Sequence, residues 1–162
     1  MATEIIQFDY RYIVVSDEAS AASALNALRE SGVGLLGMSE FPHGPGRAQL
    51  DLIAEDTECL ERTADRIGLH LSPRKSGFLI CGDNGPDLAV VDVMNRLADA
   101  RIRVTALQAV SAGAGRFGAL LWVQPREVAA AASVLGAVKQ RDVVDEASEE
   151  SFPSSDAPAW TA

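Results

Sequence analysis

Gly44-Pro45-Gly46-Arg47 and, 69 residues further on, Gly113-Ala114-Gly115-Arg116 are two glycine-paired turns, able to take the positive backbone angles that fold one strand back on the next. At the same offset Ala21, Ala24, Leu25 and Leu28 fall on Val90, Val93, Met94 and Leu97. Both sets are spaced i, i+3, i+4, i+7, the interval of one apolar helix face. Val33 likewise meets Ile102. The chain therefore reads as an internal repeat. Past the hairpins Leu60, Thr63, Ala64 and Ile67 meet Ala129, Ala132, Ser133 and Gly136, so there the pattern persists more than the bulk.

Each unit has the same order of elements. Residues 6–14 place Ile6, Phe8, Tyr10, Tyr12 and Val14 against Gln7, Asp9 and Arg11, a period of two that marks a strand. Residues 78–82 play that part in the second unit. Helices are expected over 19–31 and 87–100, followed by hairpins of 34–41 with 47–53 and of 103–110 with 116–123. Second helices end near Ile67 and Leu135, the former capped by Asp56 and Thr57, the latter opened by Pro125, whose missing N–H is not needed in a first turn. Short closing strands are expected over 69–71 and 138–144. The order βαββαβ, twice over, predicts an α+β fold: two ferredoxin-like repeats, residues 1–74 and 75–144, forming a pseudo-dimer of antiparallel sheets with the helices on one face.

Residues 145–162 are rich in Ser, Pro and acid and are expected to form a disordered tail, since they cannot bury enough apolar surface to offset their ordering entropy. After Arg141 there is no Lys or Arg but six carboxylates, so a formal charge of −9 leaves only −3 on the rest. That balance argues against nucleic-acid partners, which are held by cations on phosphates. No apolar run reaches the length of a membrane span and the N-terminus has no leader pattern, so a cytoplasmic protein without membrane contact is expected. Cys59 and Cys81 have no CxxC spacing and are expected as buried, reduced thiols.

Catalytic and metal chemistry find few parts. His43 and His70 are the only histidines, neither at ligand spacing from a Cys, Asp or Glu, so no metal and no cofactor is expected. No Gly-x-Ser-x-Gly elbow occurs. Gly113, Gly115 and Gly118 match GxGxxG in form, but they lie in a hairpin with no helix after them and read as a turn. Arg47 and Arg116 follow their turns as solvated side chains. Trp122 is read as packed in a core or interface, and Trp160 as an aromatic in the tail, docked on the body or on a partner protein. Asp83 and Asp87 flank a turn, where Asp87 is placed to cap the following helix and Asp83 to form the turn.

The stretch Gly82-Asp83-Asn84-Gly85-Pro86-Asp87-Leu88, a first strand ending in a glycine turn before a helix, resembles the ACT domain, a small-molecule sensing module. Val104 to Gly118, with Thr105-Ala106-Leu107 and Ser111-Ala112-Gly113 within it, is similar to the strand-hairpin-strand portion of bacterial ACT-like proteins. The resemblance covers about residues 75–140; residues 5–74 join it only through the repeat, and there Ser16-Asp17-Glu18-Ala19 replaces the glycine turn. It implies a non-enzymatic regulatory module that binds a small metabolite such as an amino acid, with Asp83, Asn84, Gly85, Pro86, Asp87 and Leu88 as the binding residues. The tail is similar to acidic endings on assorted small bacterial proteins. Open alternatives are a protein-protein interaction module without a metabolite, and an enzyme on a duplicated α+β barrel scaffold. Exposed sheet edges point to a homodimer.

Overall fold

The computed structural model describes residues 3–140; the tail expected over 145–162 lies outside them. In chain order come β1 (Glu4–Val15), α1 (Glu18–Glu30), β2 (Leu35–Pro42), β3 (Ala48–Ala54), α2 (Thr57–Ile67), β4 (Lys75–Gly82) and α3 (Pro86–Asp99), then β5 (Val104–Gly113), β6 (Arg116–Val123), α4 (Val128–Leu135) and β7 (Val138–Lys139), with a 3₁₀ turn at Pro125–Glu127 ahead of α4. The strands form one curled sheet in the order β2-β3-β1-β4-β6-β5, with β7 beside β1.

β1 is the joint of the molecule. Its first part, from Glu4 opposite Cys81 to Tyr10 opposite Lys75, pairs antiparallel with β4. Its second part, from Arg11 opposite Leu52 to Val15 opposite Ala48, pairs antiparallel with β3. Side chains on both faces of this strand are therefore buried, and the simple alternation expected over residues 6–14 is corrected: Ile5, Phe8, Tyr10, Ile13 and Val15 are the buried positions, whereas Val14 is 41% exposed.

Three clusters make the core. Leu28 of α1 and Leu60 of α2 pack with Ile13, Val15, Leu50, Leu52 and Ala54 on one end of the sheet. Val93 and Leu97 of α3 and Ala131 and Leu135 of α4 pack with Phe78, Ile80, Phe117 and Leu121 on the other. The opposite sheet faces meet each other through Phe8, Tyr10, Ile53 and Trp122, and Ser39 Oγ lies 3.1 Å from Gln108 Oε1 across the same joint. Helices thus cover one face and strands the other.

Two expected strands are corrected. Residues 69–71 form no strand: the Leu69 N–H turns back to the Ala64 carbonyl at 2.8 Å, and contact with β1 is left to Ser72, whose N–H reaches the Tyr12 carbonyl and whose hydroxyl accepts the Tyr12 N–H, both at 2.8 Å. Pro73, with no N–H to give, follows at once. Within the described part of 138–144, only Val138–Lys139 is a strand, and it lies parallel to β1 at Ile6 and Gln7, among the described residues the one exception to antiparallel pairing. Asp56 caps α2 through the Cys59 N–H at 3.0 Å. The cysteines are free but half-buried, not enclosed; the Cys81 thiol is nevertheless pushed up, first by burial and then by the Glu4 carboxylate.

The buried positions of the second helices are 71 residues apart, Leu60 with Ala131 and Ala64 with Leu135, because the 3₁₀ turn at Pro125 shifts the register of α4. In the first helices the 69-residue match holds at its last pair, Leu28 and Leu97 each being 1% exposed, but Met94, expected on the same apolar face, is corrected to 39% exposed. Leu28→Ala and Leu97→Ala are each expected to destabilise by about 2–5 kcal/mol, measured by denaturant unfolding. An effect at only one of them would break the structural equivalence of the two helices.

Candidate functional site

Of the six residues expected from the sequence, Asp83, Asn84 and Gly85 form the turn between β4 and α3, and Pro86, Asp87 and Leu88 open α3. Gly85 takes φ 81° and ψ 159°, a region open in practice to glycine alone, and its N–H donates to the Gly115 carbonyl at 2.9 Å. Gly115 sits in the tip of the β5–β6 hairpin at φ 78°, and a Cβ there would collide with the Asp83 carbonyl oxygen. The two glycine turns of the second half are therefore latched backbone to backbone.

The first turn of α3 has no side-chain cap. This corrects the expected capping role of Asp87: Gly85 is the capping position, Pro86 opens the helix, and the Asp87 carboxylate comes back over Gly85, where a Cβ would stand 3.2 Å from Oδ1. The equivalent turn of the first half is built the other way. There Asp17 Oδ1 accepts the Ser20 N–H at 2.7 Å and caps α1, and the Ser20 contacts hold the Asp17 carboxyl below its ordinary range.

Beside the uncapped turn lies a cleft of about 370 Å³. Of the six residues, Asn84 and Leu88 line it; Asp83, Gly85, Pro86 and Asp87 shape the turn without lining it. Asp92 and Arg96 bring both signs of charge to its wall. They form an i,i+4 pair at 3.6 Å, and Arg96 also donates to the Val134 carbonyl at 2.7 Å. Among the described residues no group of three or more His, Cys, Asp or Glu could hold a metal ion, and no helix is long and apolar enough to cross a membrane.

Sequence reading missed a second cleft, of about 860 Å³, at the joint where β1 changes partners. Tyr10, Phe41, Asp51 and Trp122 contribute to it. Tyr10 and Phe41 meet Trp122 edge-on, with ring centroids 6.5 and 5.8 Å away. Burial, then the Asp51 carboxylate, pushes the Tyr10 phenol up to about 12, while the Trp122 N–H pulls it down. That approach falls short of a hydrogen bond, since the buried Trp122 Nε1 has no partner of ordinary geometry. Asp51 is raised by burial against opposing pulls from Gln49 and Lys75. The signal available in sequence was Asp51 itself, a carboxylate between Leu50 and Leu52.

No family model and no curated protein matches the sequence. Solved structures do. A protein from Bacteroides thetaiotaomicron superposes with a TM-score of 0.65 at 10% identity, over 83% of this chain and 88% of that one. The ligand-free regulatory subunit of aspartate kinase from Thermus thermophilus superposes at 0.53 and 15% identity, over 83% and 93%. The fold is ACT-like. At these identities the likeness extends to the ACT-like arrangement of sheet and helices and not to any ligand.

Proposed function

We propose that this chain is a non-enzymatic regulatory module, two ACT-like repeats (residues 1–74 and 75–144) arranged as a pseudo-dimer, that binds an amino acid or similar zwitterion at the β4–α3 turn. The observation that carries this reading is the uncapped entry of α3, held in a glycine-only conformation beside an open cleft. Backbone N–H groups at a helix N-terminus favour a carboxylate, and the acids around the turn suit an ammonium. The Asp17-capped turn of the first half has no such opening, which supports a single site. A shared fold with an aspartate kinase regulatory subunit is in keeping with a regulatory role.

A ligand at about 100 times its dissociation constant that binds only the folded state stabilises by about 2.7 kcal/mol, enough to raise the melting point by several degrees. A thermal-shift panel of amino acids and keto acids is therefore expected to give such a rise with at least one compound. Asn84 is exposed, so Asn84→Ala should keep the fold and reduce the rise, and Gly85→Val should abolish it. No rise with any member in a folded protein would favour the second reading, docking of another protein. That reading draws on the apolar side chains α3 leaves in solvent, Leu88 at 72% and Val91 at 58% exposed; a second copy of this chain is the simplest partner for them.

A further inference from the structure

The charge of the second cleft runs against that of the chain. In a sequence of formal charge −9 its lining brings three cations, Arg74, Lys75 and Lys139, against one acid, Asp51. Arg74 is engaged by Glu61 at 2.8 Å and Asp9 at 3.5 Å. Asp51 is only 2% exposed, with Oδ1 bonded to Gln49 Nε2 at 2.7 Å, so it offers almost no surface to an occupant. Lys75 and Lys139 are exposed and have no ion pair among the described residues; Lys75 Nζ rests 5.1 Å from the Tyr12 ring centroid. The apolar part of the wall comes from Phe41, Trp122 and Val123 of the strands and Val128 of α4, and Gln7, Gln49, Ser76, Thr105 and Gln124 add uncharged polar groups. A concave site of a few hundred Å³, mostly apolar with a few charged groups, is the usual form of a small-molecule pocket.

We propose that this cleft binds a small hydrophobic monocarboxylate, its carboxylate met by Lys75 and Lys139 and its apolar body laid against Phe41, Trp122 and Val128. A positive rim on a negative protein favours an anion over a cation of the same shape, and the aromatic wall supplies the contact area that two exposed lysines alone do not. The site shares no residue with the β4–α3 turn, so each can fail without the other.

The sequence has two tryptophans, Trp122 and Trp160, so the indole N–H region of a nitrogen-proton spectrum of the full chain reports on the cleft directly, with Trp160→Phe assigning the signals. Titration with 3-phenylpropionate is expected to shift the Trp122 signal saturably, and phenethylamine and phenylalanine to bind more weakly. The affinity should fall when salt is raised from about 0.05 to about 0.5 M, as screening requires. Lys75→Gln with Lys139→Gln should weaken it about tenfold or more, and Asn84→Ala should leave it unchanged. If the double variant does not fold, Lys139→Gln alone serves, with a smaller loss expected. The proposal is overturned by the absence of a saturable shift with 3-phenylpropionate, by equal or tighter binding of either other probe, or by unchanged affinity in a folded lysine variant.

Discussion

Phe8→Ala is expected to lower stability by about 3–5 kcal/mol, the range for a truncated core phenylalanine, and so to lower the melting point by roughly 10 °C in a chain of this size. Phe8 is 1% exposed, stands edge-on to Tyr10 with centroids 5.9 Å apart, and fills the space left by the missing side chain of Gly77, where a Cβ would come within 2.7 Å of the Phe8 ring. It also belongs to the cluster that holds the two strand faces together. The cavity it leaves cannot close by a local shift, because β1 is fixed on one side by β4 and further along by β3. Calorimetry checks both the size and the form of the loss. The full chain should melt in one transition, whereas in Phe8→Ala the two helix-covered clusters should separate into two. A single transition displaced by only a degree or two would mean that the joint contributes little and that the halves are coupled elsewhere.

The same strand shows where sequence reading succeeds and where it stops. The helices α1 and α3 were legible because each buries one face and exposes the rest, with Leu28 and Leu97 among the positions that spacing picks and that are buried, although the same spacing also picks Met94, which is 39% exposed. β1 was legible as a strand but not in its facing. Apolar residues of both parities, Ile5, Ile13 and Val15 against Phe8 and Tyr10, are buried, since one set meets helices and the other meets the opposite sheet face. A period-two rule presumes one wet face and picks a single set. The residues at 69–71 carry the apolar character of a strand, Leu69 and Leu71 both packing on the first cluster, yet their backbone bonds go elsewhere, and burial alone does not distinguish the two.

The candidate site was legible in part for a related reason. Gly85 announces an unusual backbone angle from sequence, but the partner that uses it, Gly115, lies 30 residues away, and only the folded hairpin brings them together. The Asp87 cap failed because Pro86 and Gly85 set the start of α3: a proline at the first helical position places Asp87 inside the helix, two residues past the capping position. The second cleft draws residues from all seven strands and α4, and no local spacing encodes such a gathering.

Gly115→Ala is expected to be the most damaging single-methyl change in the second half, and to remove ligand binding at the β4–α3 turn together with stability. Two effects add. At φ 78° an alanine is held in a left-handed conformation, a cost of about 1 kcal/mol or more. Its Cβ would also press on the Asp83 carbonyl oxygen, a backbone atom that cannot rotate away, so either the hairpin tip or the turn must move and the bond from the Gly85 N–H to the Gly115 carbonyl is lost. Gly113→Ala separates the two effects. Gly113 has nearly the same angle, φ 81°, but nothing within 4 Å of an added Cβ, so it should show the conformational cost alone, about 1 kcal/mol. Chemical denaturation of the two variants should therefore differ by about 1–3 kcal/mol, with amide exchange at Gly85 accelerated in Gly115→Ala and unchanged in Gly113→Ala. Equal losses in the two would show that the hairpin does not rest on Asp83, and would leave the glycine conformation at position 85 without its support.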